Sequence, residues 1–261
     1  LVLTLRNFIR NRGYTFINVL GLSIGLTACI IIFLVITYEL NFDKVHSKYS
    51  RIYRVVQDVE GASGTTYSAV TPYPLVTAFR NDFPDVPSVT QLHYQGEAMI
   101  TIGTDKHMSD DILFADSLFF DVFDFKVLSG NPRVELGEPG KVFVTQSFAN
   151  KFLRGGQITS FKVASIELVL AGIVAHPPPN SHINFTMVVS MASFTSDFIA
   201  GFPIDRWGVR ARGYAYVVLP DQTSQASIES QFKAFVQKYH DKEEAKRTTH
   251  KLQPLKNIHF D

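Results

Sequence analysis

The chain has 261 residues, with 25 Lys or Arg and 24 Asp or Glu, so its formal net charge at neutral pH is +1. It contains no run of basic residues interleaved with aromatic ones, which excludes nucleic acid as an expected partner. Its one cysteine, Cys29, cannot form a disulfide within the chain. Any folded domain must therefore be stabilised by its hydrophobic core alone.

Residues 16–38 form a run of 23 positions without a charged side chain. A helix of this length spans roughly 34 Å, slightly more than the ~30 Å hydrocarbon core of a bilayer. The run therefore predicts a transmembrane helix. A cleaved signal peptide is the alternative, but its apolar region would be shorter and would end in small residues, whereas this run ends in Ile36, Thr37 and Tyr38.

The charges on either side of the run predict its orientation. Arg6, Arg10 and Arg12 precede it without any acidic residue, whereas acidic and basic residues are mixed after it. The positive-inside rule therefore places residues 1–15 in the cytoplasm and everything after Tyr38 outside. Apolar residues at helical spacing before position 10 predict a short amphipathic segment, whose three arginines contact anionic lipid headgroups. The alternative is a cytoplasmic extension of the spanning helix.

Small residues recur on one face of the predicted span, at Gly21, Gly25 and Ala28. Such spacing allows the backbone of another helix to approach closely, so these residues predict helix packing in the membrane. The alternative is that they are ordinary helix filler. The same stretch matches the nucleophile-elbow pattern G-x-S-x-G, but that chemistry needs a strand-to-helix turn at the serine, Ser23, which a spanning helix cannot provide.

Alternating and helical patterns follow the span in the order strand, helix, strand, strand. A helix is predicted from Thr71, as N-cap, to Phe83, with Pro72 at its first helical position. Asp116 is predicted to cap a short helical piece. The strands predicted in this part are residues 52–59, 88–102 (as one or two strands) and 108–115.

The second part of the external region begins with a β-rich stretch. A hairpin is predicted over residues 161–174, with Glu167 facing water, and residues 176–180 form a proline-rich break. The other predicted strands are residues 141–145, 186–190 and 214–219, the predicted helices are residues 146–153 and 227–239, and residues 252–258 are predicted to be extended.

This order of elements predicts an α+β fold. Residues 39–261 are expected to form one extracytoplasmic domain whose two halves lie at about residues 51–115 and 206–258. Between them, an inserted β-rich subdomain is expected at about residues 116–205. Because the chain begins at Leu1 and stops at Asp261 without a closing element, we interpret it as a fragment of a longer protein.

The eight histidines do not follow a metal-binding pattern. His176 and His182 flank the proline-rich break, without a second His, Cys or Glu at ligand spacing. Four others stand alone among polar neighbours and are predicted to be solvated: His46, His93, His107 and His240.

Catalytic patterns are missing from the sequence as well. Neither H-E-x-x-H nor G-x-x-x-x-G-K-[ST] occurs, and the paired carboxylates at residues 110–111 and 243–244 lie in polar stretches typical of a solvated surface. The residues therefore predict no enzyme activity, no catalytic site, no cofactor and no metal.

Several segments, in order, resemble the FtsX-like, MacB-type permeases of bacterial ABC transporters, and in particular their variants from Bacteroidota. The resemblance covers nearly the whole chain. The segments that carry it are the Arg-Asn pairs at residues 6–7 and 10–11, GLSIGL at 21–26, Tyr38-Glu39, Phe42-Asp43, YRV at 53–55, VTQSFANKFL at 144–153, PPPNSHINF at 177–185 and LQPLKNIHF at 252–260.

The resemblance implies a fold and a function. The fold is a MacB-like periplasmic core domain, with a porter-like part and an inserted β-rich one, which agrees with the order of elements. The function is that of a noncatalytic permease subunit in the bacterial inner membrane, with residues 39–261 in the periplasm. Its implied partners are a separate ABC-type ATPase subunit and a second permease copy or a related permease chain.

In such a permease, ATP hydrolysis in the cytoplasm drives motions of the outer domains, which is called mechanotransmission. Further spans and the loop that contacts the ATPase would follow residue 261. The alternatives are a stand-alone, membrane-anchored receptor or sensor domain, and an anchored hydrolase. Nothing in the sequence selects a cargo.

Overall fold

The computed structural model describes residue 10 and residues 12–154, 157–195, 204–207 and 213–259. Contacts divide the chain into two compact units, Leu1–Phe42 and Asp43–Asp261.

In the residues described, the first unit contains one long helix, α1, over Arg12–Leu40. It is the one helix among the described residues that is long and apolar enough to cross a membrane, and none of its residues is buried. Two of its hydroxyls are satisfied inside the helix, because Thr27 and Thr37 each donate to the carbonyl oxygen four residues earlier, at 2.8 Å. The predicted spanning segment is therefore one uninterrupted helix.

The second unit is built on eleven strands, which form one hydrogen-bonded sheet in the described residues. The strands are β1 (Ile52–Gly61), β2 (Gly64–Ser68), β3 (Ser88–Ile102), β4 (Asp105–Ala115), β5 (Val127–Ser129), β6 (Lys141–Thr145), β7 (Ser160–Val163), β8 (Ile166–Val174), β9 (Met187–Ser190), β10 (Gly213–Val218) and β11 (Thr248–Pro254). Their order along the main path is β11-β1-β10-β3-β4-β9-β6-β8-β5.

Eight helices accompany the sheet in the described part of this unit. They are α2 (Pro74–Asp82), α3 (Phe119–Val122), α4 (Pro132–Glu135), α5 (Gln146–Phe152), α6 (Gln225–Glu229), α7 (Phe232–Tyr239), α8 (Lys242–Arg247) and α9 (Leu255–Ile258). The fold is thus α+β with one apolar helix before it, as the sequence predicts.

Six strands close into a ring, which we call the six-strand ring. Starting from β3, each strand pairs with the next in the order β4, β9, β6, β8 and β7, and β7 pairs back with β3. Two of these pairings, β4 with β9 and β6 with β8, are parallel. The ring uses strands from both sides of residue 116, and the predicted division into halves and insertion stays a prediction.

Three clusters of buried apolar side chains stabilise this unit. One packs residues of the six-strand ring with α5, including Ile100, Phe114 and Val144. Another packs α2 and α7 against β1, β10 and β11. The third contains five buried phenylalanines from the chain after β4, together with Tyr216 of β10, and it lies next to the residues that follow α1.

Three local predictions were wrong at their boundaries. Thr71 does not cap a helix, because it is fully buried and its backbone N–H donates to the carbonyl of Gly213, and α2 starts at Pro74 instead. The predicted helix at residues 227–239 is two helices, α6 and α7. The last predicted extended segment is β11 followed by α9.

Candidate functional site

The predicted packing residues lie on the exposed surface of α1. Gly21, Gly25 and Ala28 are all exposed, and a Cβ atom built on either glycine would meet nothing within 4 Å. Ser23 lies within the same continuous helix, so the strand-to-helix turn of a nucleophile elbow is not present there. The small-residue surface is therefore open to another helix, and its use for packing stays a prediction.

The predicted lipid-contacting arginines are only partly described. Arg10 and Arg12 are both exposed, and Arg12 is the first residue of α1. Arg6 lies outside the described residues. Their contact with lipid headgroups stays a prediction.

The residues directly after α1 are held by polar contacts within the second unit. Asp43 is 1 % exposed and has a φ of +57°, a left-handed conformation that Asp tolerates better than most residues. Its backbone N–H donates to the carbonyl of Asn180 at 2.8 Å. The chain therefore turns sharply at Asp43 and pairs there with a distant loop.

The Asp43 carboxylate accepts two hydrogen bonds from this loop and lies close to the ring of His182. Its Oδ1 accepts hydrogen bonds from the Ser181 hydroxyl at 3.2 Å and from the backbone N–H of His182 at 3.0 Å. Its Oδ2 lies 2.9 Å from Nδ1 of His182. The other ring nitrogen of His182, Nε2, lies 2.9 Å from the hydroxyl of Tyr216 on β10.

These distances assign the proton positions. We place a proton on Nδ1 of His182, where it faces the carboxylate, so that Nε2 accepts from the Tyr216 hydroxyl. Burial alone would raise the pKa of Asp43, but its contacts with His182 and with the Ser181 hydroxyl outweigh burial and lower that pKa. Burial raises the pKa of Tyr216. The chain of contacts thus pairs an ionised carboxylate with a neutral phenol.

A second histidine lies on the other side of Asp43. His46 is 2 % exposed, and its Nδ1 accepts a hydrogen bond from the backbone N–H of Asp124 at 3.1 Å. Its ring packs edge-on against Phe123 and Phe125, with centroids 5.1 and 5.0 Å away. Burial lowers the pKa of His46 to about 4, although Asp43 and Asp124 oppose that shift.

Two more polar contacts hold the same segment. The Asp124 carboxylate accepts from the backbone N–H of Ser47 at 2.5 Å and from its hydroxyl at 2.9 Å. The ammonium group of Lys48 donates to the carbonyl of Asp121. We call the set Asp43, His46, Asp124, Ser181, His182 and Tyr216 the junction network.

The junction network has the atoms of an Asp-His-hydroxyl triad but not the access that catalysis requires. Tyr216 is 1 % exposed, so no substrate atom can reach its hydroxyl. Its raised pKa also makes the phenolate harder to form. The arrangement is suited to holding four chain segments together: residues 43–46, Asp124, residues 181–182 and Tyr216.

The structure corrects the prediction that the isolated histidines are solvated. His46 and His93 are buried, and the side chain of His240 is 3 % exposed. His93 accepts or donates a hydrogen bond with the Tyr73 hydroxyl at 2.6 Å, and the His240 ring lies 4.9 Å from that of Trp207. His107 is half-buried and stacks near Phe152.

The paired carboxylates are also not all on the surface. Asp110 is exposed, but Asp111 is half-buried, has a φ of +57° and accepts a hydrogen bond from the Asn184 amide at 3.1 Å. Glu243 and Glu244 lie in the first turn of α8. Among the described residues, no group of three or more His, Cys, Asp or Glu is arranged to hold a metal ion.

Sequence reasoning singled out the two segments that meet at the junction network, Phe42-Asp43 and residues 177–185, but only through resemblance. It did not pair them, and it missed Tyr216 and Asp124. No spacing in the sequence could have found those partners, since Asp43 and His182 are 139 positions apart.

A family model described as the MacB-like periplasmic core domain matches residues 15–235 of this chain. The chain belongs to that family. MacB-like core domains are parts of ABC-transporter permeases, so the resemblance recognised in the sequence is confirmed, and residues after α1 form an extracytoplasmic domain anchored in a membrane. Permeases of the MacB and FtsX type work with ABC ATPase partners.

Solved structures of MacB-like domains share the fold. A domain assigned to a permease of Porphyromonas gingivalis aligns with a TM-score of 0.67 at 17% identity, covering 80% of this chain and 91% of that one. The periplasmic region of MacB from Actinobacillus actinomycetemcomitans aligns with a TM-score of 0.54 at 11% identity, with 80% and 91% covered.

A third structure comes from Gram-positive bacteria. The extracellular domain of the ABC-type transporter YknZ aligns with a TM-score of 0.51 at 11% identity, covering 77% of this chain and 99% of that one. No curated protein sequence matches the chain. At these identities the likeness concerns the MacB-like fold alone.

Proposed function

We propose that this chain is the N-terminal part of a permease subunit that couples ATP hydrolysis by a separate ATPase subunit to motions of its own extracytoplasmic domain. In this proposal α1 crosses the bacterial inner membrane with its N-terminus in the cytoplasm, and residues 39–261 lie in the periplasm. The family match, the single apolar helix and the charge pattern around that helix support it.

The observation that carries the proposal is the junction network. Two residues separate the end of α1 at Leu40 from Asp43. Asp43 is in turn bonded to the loop at residues 180–182, and through His182 to β10 in the central sheet. In this proposal a displacement of the chain at Asp43 passes through these contacts to the central sheet. That is the mechanical requirement for coupling a membrane helix to an outer domain.

The test is to introduce slack at this point. Four glycines are inserted between Phe42 and Asp43 in the full-length gene product, which is reconstituted in lipid vesicles with its ATPase subunit. A spin label is placed on Met108→Cys, at an exposed position of β4, in a protein whose own cysteine is removed by Cys29→Ser. We expect ATP to change the distance between labels on two copies in the unmodified protein, and the insertion to abolish that change while ATP hydrolysis continues.

The matched control is the same insertion in the β3–β4 turn, between Gly103 and Thr104, where the chain is exposed. This variant should retain the ATP-dependent change. If slack after Phe42 leaves the distance change intact, the junction network does not transmit motion. If no ATPase subunit acts on the protein, the proposal of a permease subunit is wrong, and the alternative of a receptor or sensor domain replaces it.

We further propose that α1 packs against another permease helix through Gly21, Gly25 and Ala28. Replacing both glycines with Leu should weaken helix association by about 1 kcal/mol, because close backbone contact drives packing where lipid is as apolar as the side chains. Membrane insertion should persist, since the change raises apolarity. The control places the same bulk on the opposite face, with Val19→Leu and Ser23→Leu. Equal crosslinking between copies in both double variants would contradict the proposal.

A further inference from the structure

An open cavity of about 500 Å³ lies beside α2 in the second unit. It is lined by residues of five chain segments: α2 with the residue before it, Gln91 of β3, the stretch around Phe194, residues 204, 205 and 207, and the end of α7 at Tyr239. Its volume falls in the range of small-molecule sites, roughly 300–1,000 Å³. No contact of the junction network reaches into it.

Aromatic side chains form the walls of this cavity. Trp207 stacks on Tyr239 with ring centroids 5.0 Å apart and an angle of 22° between the planes. Tyr73 lies 5.1 Å from Phe194, and its hydroxyl is fixed by the hydrogen bond to His93. The rings are therefore held in place before any ligand arrives.

The charge of the lining is one-sided. Asp205 is exposed, lines the cavity and has no hydrogen bond or ion pair with any residue that the structure describes. No Lys, Arg or His belongs to the described lining. The other polar residues that line the cavity are neutral, namely Thr77, Asn81 and Gln91. Among the described residues, the cavity thus combines ring faces, which carry negative potential, with one carboxylate that has no ion-pair partner. Lys238 does not line the cavity, but its ammonium lies 4.9 Å from the centroid of the Tyr239 ring.

We propose that this cavity binds a small organic cation, in which a quaternary or protonated amine is attached to an apolar or aromatic group. The ring faces of Trp and Tyr attract such a cation, and Trp does so best. The carboxylate of Asp205 adds a charge at the rim, and the apolar group fills the space between Phe194 and Tyr73. An anion of the same size would meet repulsion from both sources.

Trp207 is the one tryptophan of the chain, so its fluorescence reports on this cavity alone. The experiment titrates the whole chain, purified in a non-ionic detergent, with phenyltrimethylammonium and, separately, with benzenesulfonate, an anion of similar size. Tryptophan is excited selectively. We expect a saturable change with the cation, stronger at low salt because part of the attraction is exposed to solvent, and none with the anion.

Two variants locate the binding. Asp205→Asn should weaken the cation about three- to tenfold, in line with a charge interaction at an exposed site. Asp221→Asn removes the same charge from a residue that does not line the cavity and pairs with Arg51 instead, and it should leave the affinity unchanged. An unchanged thermal transition in both variants shows that they fold.

Three results would overturn the proposal. They are no saturable change with the cation, an equal or larger change with the anion, and equal weakening by the two Asp variants. Because the assay needs neither the ATPase subunit nor a second copy, its result does not depend on the function proposed above.

Discussion

Replacing His46 with a residue that does not titrate should reduce the loss of folding stability at acidic pH. The folded state favours the neutral form of this imidazole, whose pKa is lowered to about 4 from an ordinary value of 6.5. The unfolded chain therefore takes up a proton below pH 6.5 that the folded chain refuses until about pH 4. Because the folded pKa is lowered, stability is complete above pH 6.5 and falls as the pH drops through this window.

The magnitude follows from the shift. At about 1.4 kcal/mol for each pKa unit, a shift of about 2.5 units corresponds to about 3 kcal/mol of stability lost between pH 6.5 and pH 4. Asp43 acts in a different window. Its pKa is lowered from 3.8, so its contribution is kept above that value and is lost only below it.

The assay is urea unfolding of residues 39–261 between pH 4 and pH 7, for the wild type and for His46→Asn. Asparagine keeps an acceptor for the Asp124 backbone N–H but does not titrate. Loss of the ring will lower stability by a constant amount, because packing against Phe123 and Phe125 is reduced. The wild type should then lose about 3 kcal/mol more than the variant on acidification.

His107→Asn, in β4, controls for removing a histidine outside the junction network. Its curve should follow that of the wild type. Parallel curves for His46→Asn and the wild type would refute the reasoning, because they would mean that burial does not disfavour the charged imidazole.

Three further outcomes are expected. Gly172→Ala should lower the free energy of unfolding in urea by about 2–4 kcal/mol, because a Cβ there would lie 2.2 Å from the Ser129 carbonyl oxygen and 2.4 Å from the Phe143 ring. The control is Gly61→Ala, where the nearest atom to the new Cβ is 3.5 Å away, and it should change that free energy by less than about 1 kcal/mol. Asp241→Ala should cost about 1 kcal/mol, since this carboxylate caps α8 by accepting from two backbone N–H groups, and Asp241→Asn should recover most of the loss. Residues 39–261 alone should unfold in one cooperative, monomeric transition that neither reductant nor chelator alters, and a broad transition or one shifted by chelator would contradict this.

The parts of the fold that the sequence predicted are those fixed by local pattern. The apolar run of α1 needs no tertiary information, and the alternation of β8, with exposed Glu167 beside buried Leu168, is visible in the residues themselves. The resemblance added the family and therefore the class of fold. These predictions were confirmed because no distant contact competed with the local preference.

The misses share one cause, which is a partner far away in sequence. Thr71 has the chemistry of an N-cap, but its backbone is held by Gly213, so the helix starts later. His46 looks solvated among polar neighbours, yet it is covered by residues 78 positions away. The ring of six strands was equally hidden, because its two parallel pairings join strands that are not consecutive.

The closure of the six-strand ring has a consequence for how the domain exchanges its amide hydrogens. The last pairing, between β7 and β3, involves two residue pairs, Ile100 with Val163 and Thr101 with Lys162. The pairing of β3 with β4 is far longer. Because opening free energy rises with the contacts that must be broken, the β7 seam should separate in brief local events that leave the central sheet folded. Each such opening would expose Val163 and Phe161, which are both buried when β7 and β3 are paired. The short β7–β3 pairing therefore determines how often the domain exposes an apolar strand edge to solvent.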